Sequence, residues 1–203
     1  MKAVWHTLSF LGVFVVGMLL SFFVPLPEWV YNPNITLVAL YILMCLVGIT
    51  VGGEPSTLAA ITKMSPRLLL LPVATLVGTF AGALVARLLF PSYLLKELLA
   101  VASGFGYYSL SCVIITEKYN ATLGAVALLS SISRELMALL LARPFAKIGG
   151  NLAPICAAGG TSMDTTLPFI VKATAPEYSV VCIYHGVVVT LFVPFGVGLA
   201  LAM

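Results

Sequence analysis

A chain of 203 residues with 61% hydrophobic and only 8% charged residues is far from a soluble domain, where about a quarter of residues carry charge. Mean hydropathy is +1.13, and long apolar runs with charge pushed into short gaps make lipid the solvent. The net charge of +3 is too small and too scattered for nucleic-acid recognition, and its useful content is loop position.

The N-terminal stretch "MKAVWHTLSFLGVFVVGMLL" has a lysine followed by an apolar run, as a signal peptide does. The run continues to Val24 and meets "PLPEW" without a small-residue cleavage site, so it reads as a retained helix, Leu8–Val24. Pro25, Pro27 and Pro33 close the first gap, with Trp5 and Trp29 as interfacial anchors. A second span covers Ile35–Val51, followed by the polar, turn-rich "GGEPSTLAAITKMSPR". Further clean spans are predicted at Leu68–Phe90, Ala121–Ala142 and Tyr178–Met203, each near the ~20 apolar residues that a bilayer core demands.

Two segments between these are apolar but interrupted. Leu98–Thr116 contains "ASGFGYYSLS", and Leu152–Ala173 contains "AAGGTSMDTTLP". Irregular backbone at membrane depth is tolerated only where protein buries it or a cavity wets it. Two such segments flanking one clean helix resemble the broken-helix sites of secondary transporters; two kinked helices without a ligand are the bland alternative. The fold class is therefore an all-α integral membrane protein with about five full transmembrane helices plus two broken or re-entrant segments. These seven hydrophobic segments make a single transmembrane transporter domain over 1–203.

If both broken segments span, an N-inside arrangement puts Lys2, Lys63, Arg67, Lys118 and Lys172 inside, and Arg87, Lys96, Arg143 and Lys147 outside. If both re-enter, Arg143 and Lys147 move inside and Lys118 moves out, which the positive-inside bias prefers. Either version leaves the N-terminus cytoplasmic and the C-terminus on the far side.

Two carboxylates lie deep in these segments. Glu135 sits near the middle of the fourth clean helix, where an isolated charge costs about 2.5 kcal/mol or more. Gly124, Ala127, Leu128, Ser131, Ala138 and Ala142 share its face by three- and four-residue spacing, so that face is mostly small. Glu135 either serves a cation or holds the bundle together with Arg134; adjacent residues point about 100° apart on a helix, so Arg134 can also serve another partner. Asp164 is the one aspartate of the chain. In "TSMD" Thr161 could cap a helix whose third residue is Asp164, or Asp164 could bind a ligand or proton, and one object could do both.

His185 shares a face with Val181, Cys182, Val188 and Val189, and reads equally as a proton relay or as a packed, hydrogen-bonded residue. Tyr107 and Tyr108 are too deep for an interfacial belt, so they are candidates to line a site. Cys45, Cys112, Cys156 and Cys182 lie in apolar runs with no CxxC pair, and read as buried thiols. Neither a metal nor a cofactor is expected. A pair of membrane carboxylates with two polar helix breaks suits a substrate with cationic and anionic groups, and a basic amino acid fits best.

At "GFGYYSLS", "SRELMALLL" and "AGGTSMDTTLP" the chain resembles the lysine exporter (LysO) family of bacterial inner-membrane proteins, from roughly the first helix to the C-terminus. The third motif is the most specific. The resemblance implies export of L-lysine and of its toxic analogue thialysine, with the two essential intramembrane acids carried over to Glu135 and Asp164. Supporting candidates around them are Tyr107, Tyr108, Ser109, Ser111, Ser131, Arg134, Gly159, Gly160, Thr161, Thr165, Thr166 and His185. Typical members are about half as long again, with a further N-terminal hydrophobic portion. That implies a small membrane partner, or a second copy of the chain, to complete the pathway.

Exchange of lysine for a proton at the two acids is the expected mechanism. A cation–proton antiporter or cation channel is the first alternative, and a structural subunit whose acids bind a partner helix is another. An enzyme is not expected. An aspartyl intramembrane protease needs two aspartates, and in "VASG" Val101 stands where the serine type requires glycine.

Overall fold

In the computed structural model the described residues are 65–203 together with scattered positions of the first 64. The chain divides into two compact units, Met1–Thr50 and Val51–Met203. In the first unit every described residue except Pro27 is helical, and Phe22 and Phe23 meet edge to face. The predicted spans Leu8–Val24 and Ile35–Val51, with Lys2, Trp5, Trp29 and Lys63, lie largely or wholly outside the described residues.

The second unit is built from helices. A short α1, Pro66–Leu69, jogs at Leu70 into α2, Leu71–Leu89, with prolines placed in the first turn of each, where a missing N–H costs nothing. Then come α3, Leu95–Ala102, and α4, Tyr108–Lys118. A two-residue turn leads to α5, Ala121–Gly149, whose first turn is capped by the Asn120 side chain accepting from Leu123 N–H at 2.7 Å. Next are α6, Ala153–Ala158, a 3₁₀ turn over Gly159–Met163, and α7, Leu167–Ala173. A final helix, α8, Ser179–Ala202, follows a short 3₁₀ turn.

Among the described residues, three stretches are long and apolar enough to cross a membrane: Pro66–Leu89, Ala121–Gly149 and Pro176–Ala202. Their outer faces carry Leu88 at 80% exposure, Leu140 at 76% and Phe195 at 69%. Side chains of that size left outside on every long helix belong against lipid or other apolar surface, not water. Predicted and observed spans agree to within a few residues except for α5, which runs on to Gly149 through Pro144. Proline is tolerated there because membrane helices re-satisfy freed carbonyls locally.

Both interrupted segments are helix–break–helix. A re-entrant hairpin would lay its two halves side by side. Here the outer ends of each pair meet: Tyr119 Oη–H donates to Glu97 Oε1 at 2.8 Å with Lys96 Nζ 5.7 Å from the centre of the Tyr119 ring, and Asn151 Nδ2–H donates to Tyr178 Oη at 3.3 Å. Each pair therefore folds back on itself as a helical hairpin and does not continue as one spanning helix. A buried cluster of Leu71, Ala138, Ile155, Ala158, Ile170, Val181 and Cys182 holds α2, α5, α6, α7 and α8 together around the second break.

Candidate functional site

The two breaks meet. In the first, Phe105 adopts φ 46° and Gly106 φ 88°; in the second, Gly159 adopts φ 65°. Left-handed backbone costs a non-glycine residue about 1–2 kcal/mol, and Phe105 is held there by its fully buried ring. That ring makes edge-to-face contacts with Phe80 on α2 at 5.8 Å and Phe192 on α8 at 6.0 Å. Its carbonyl thereby points at the other break and accepts from Gly160 N–H at 2.9 Å. A Cβ on Gly159 would drive into that same carbonyl, so only glycine fits the crossing.

Arg134 reads the C-terminal end of the half-helix α6. Its Nε–H donates to the Ala157 carbonyl at 2.8 Å and Nη2–H to the Cys156 carbonyl at 2.9 Å, while Nη1–H reaches the Thr79 hydroxyl at 3.4 Å. A helix that ends inside the membrane leaves carbonyls without water, and a cation there satisfies both the hydrogen bonds and the negative end of the dipole. Arg134 thus serves a partner other than its sequence neighbour.

Glu135 lies at the midpoint of α5 and is fully buried. Gly124, Ala127, Leu128, Ser131, Ala138 and Ala142 are all buried with it, as the spacing predicts. Asp164 sits just after the second 3₁₀ turn and is open to the surface of this unit. Its Oδ1 accepts from the Thr165 amide and from the Thr165 hydroxyl, the latter at 3.1 Å. Tyr107 and Tyr108 stand at the first break, Tyr108 buried at the start of α4. One acid is buried and the other exposed.

The capping arrangement expected for Thr161 does not form. Its hydroxyl donates to the Ala158 carbonyl at 3.0 Å, and the next helix starts only at Leu167. The two glycines let the chain continue as a 3₁₀ turn through Met163 before Asp164 breaks away. Thr166 precedes α7 and donates back to the Thr161 carbonyl at 2.8 Å, closing the loop that presents Asp164. Ser111 and Thr190 hydroxyls are buried against Gly104 and Gly160 and make no hydrogen bond among the described residues.

His185, fully buried on α8, lies between Thr75 Oγ1, 2.8 Å from Nε2, and Ser162 Oγ, 3.1 Å from Nδ1. Ser162 spends its one proton on the Cys182 carbonyl at 3.0 Å. It must therefore accept from Nδ1–H, which leaves Nε2 to accept from Thr75. The imidazole bridges α2, α8 and the second break. Thr75, Thr79 and Ser162 were not singled out from sequence. The usable signal was two hydroxyls spaced one turn apart on an otherwise apolar helix.

A cavity of about 420 Å³ lies between α2, α3 and α5 on the Arg134 side of the crossing. Thr79, Ser130, Ser131 and Arg134 supply its side-chain polar wall together with Tyr93, and aliphatic and aromatic groups supply the rest.

The family model for the lysine exporter LysO matches residues 11–201. The chain is 32% identical over 156 residues to the lysine exporter LysO of Escherichia coli, covering 76% of this chain and 51% of that protein. It is 30% identical over 185 residues to a relative from Haemophilus influenzae named provisionally as a lysine exporter, covering 91% of this chain and 92% of the relative. The chain thus spans about half the length of the first relative and nearly all of the second. No solved structure matches.

Proposed function

The chain belongs to the lysine exporter LysO family, and on that premise we propose that it carries L-lysine out across the bacterial inner membrane in exchange for protons. The observation that carries the reading is the fully buried Glu135 at mid-helix, on the same helix as the Arg134 that caps the second break where the two breaks meet. Intramembrane acids in such a setting bind cations or protons by default.

Export of a lysine cation against an inside-negative potential costs about 2.3 kcal/mol per 100 mV. One incoming proton for each outgoing lysine cancels that charge movement. Glu135 and Asp164 allow it, because an ammonium and a proton compete for the same carboxylates. Thialysine, which has the same charged groups, follows the same route. The N-terminus is cytoplasmic in this arrangement, and the pathway is completed by a second copy of the chain or by a small membrane partner.

The test uses a strain without lysine exporters, fed a lysine-containing dipeptide. The chain alone, the chain with a neighbouring membrane partner, and Asp164→Asn in each setting are followed by lysine appearing outside. Export lost in Asp164→Asn, and slowed when the proton gradient is collapsed, supports the reading. Correct insertion with no export in any setting overturns it in favour of an inorganic cation–proton antiporter.

A further inference from the structure

The cavity beside Arg134 has a chemistry that differs from that of the carboxylate pair. Arg134 is the sole charged side chain among its lining residues. A guanidinium has five N–H groups, and the Ala157, Cys156 and Thr79 bonds use three of them. The half-helix end that it caps contributes roughly half a negative charge. The full positive charge is therefore only partly neutralised, and the remainder faces the cavity together with the Thr79 hydroxyl.

The volume, about 420 Å³, falls at the small end of ligand pockets, which run from about 300 to 1,000 Å³. Mostly apolar walls suit an aliphatic stem. Ser131 links this cavity to the acid, since it lines the cavity wall and lies one helical turn before Glu135 on the same buried face of α5. Arg134 and Glu135, a cation and an anion, are consecutive residues of one helix, with Arg134 lining the cavity and Glu135 one turn beyond Ser131. That is the arrangement a zwitterion requires, and neither a bare cation nor a diamine can use both ends.

We propose that this cavity is the carboxylate subsite of the transporter, where Arg134 and Thr79 take the carboxylate of an α-amino acid whose ammonium faces Glu135. The inference rests on the export reading for its substrate, but the selectivity it predicts can be measured by binding alone. Arg134 also satisfies the carbonyls of α6, so its substitution risks the fold. Gly82 offers a cleaner variant: it lines the cavity, and a Cβ there meets nothing within 4 Å. Gly82→Leu therefore fills the cavity without disturbing the crossing.

Binding of lysine and of cadaverine, which is lysine without its carboxylate, is measured on the full-length detergent-solubilised chain, its Gly82→Leu and its Thr79→Val. The wild type is expected to bind lysine at least tenfold more tightly than cadaverine. Both variants weaken lysine about tenfold and leave cadaverine where it was, so the preference collapses. Equal binding of the two compounds by the wild type, or lysine affinity unchanged in Gly82→Leu, overturns the subsite. Carboxylate-selective binding in a protein that exports no lysine keeps the subsite and removes the export reading instead.

Discussion

The Gly160 amide donates to the Phe105 carbonyl at 2.9 Å, and this bond ties two broken helices to each other at the level of the buried acid. Each break exposes backbone groups that water cannot reach, and here each supplies a partner for the other. The arrangement depends on Gly159, whose φ of 65° and close approach to the same carbonyl exclude any side chain. Gly159→Ala is expected to cost about 2–4 kcal/mol, combining the left-handed penalty with overpacking. Thermal melting of the purified protein checks it, with Gly150→Ala as the control. Gly150 also has positive φ, but a Cβ there meets nothing within 4 Å, so only the backbone penalty should appear. Equal losses at the two positions would mean that the crossing is not the constraint.

The His185 bridge carries a second prediction. Thr75→Val removes the donor to Nε2 and leaves a buried acceptor unpaired, at a cost of about 1–3 kcal/mol. The ring lies between two hydroxyls, so its expected action is to hold Ser162 and hence the loop that presents Asp164. His185→Gln, which can still bridge, should slow lysine export severalfold yet keep the wild-type pH profile. A displaced pH profile would make the imidazole a proton carrier after all.

Much of this site was legible in the sequence, and the parts that were not share one physical reason. The positions of Glu135 and Asp164, the two interruptions and the small face of α5 follow from hydropathy and helical period, which are local properties. The role of Arg134 does not, because its partners at 156 and 157 sit more than twenty residues away and are backbone carbonyls, which carry no sequence signature. Thr161 misled for a related reason. "TSMD" has the spacing of a helix cap, but the preceding glycine pair lets the chain run on as a 3₁₀ turn, and the helix waits until Leu167. The partners of His185, hydroxyls on Thr75 and Ser162, lie 110 and 23 residues away and leave no local pattern to read.

Neutralising the acids tests the transport chemistry itself. Glu135→Gln should abolish lysine export, by a hundredfold or more, while the protein still inserts, because the amide keeps the shape and removes the charge. Asp164→Asn should do the same despite its open position, because the proposed exchange uses both acids. Radiolabelled lysine efflux and membrane abundance, measured together, separate lost chemistry from lost protein. Export that survives in both variants would leave the acids a purely structural role.

The last prediction concerns the packing that holds Glu135 in place. Helices α4 and α5 are joined by two residues, Tyr119 and Asn120, and approach so closely that a Cβ on Gly124 would run into the Thr116 side chain and the Cys112 carbonyl. Small residues at such seams let membrane helices meet by van der Waals contact, where apolar burial offers little because lipid is equally apolar. Gly124→Val should therefore destabilise the protein by about 2–3 kcal/mol through overpacking. Asn120→Ala, at the start of the same helix, loses one cap bond to the Leu123 amide and should cost nearer 1 kcal/mol. Export should follow the same order, because Gly124→Val shifts the helix that carries both Arg134 and Glu135, whereas losing the cap frays only its first turn. Melting temperatures and efflux rates of the two variants measure this directly. The reverse order would place the seam outside the working part of the protein.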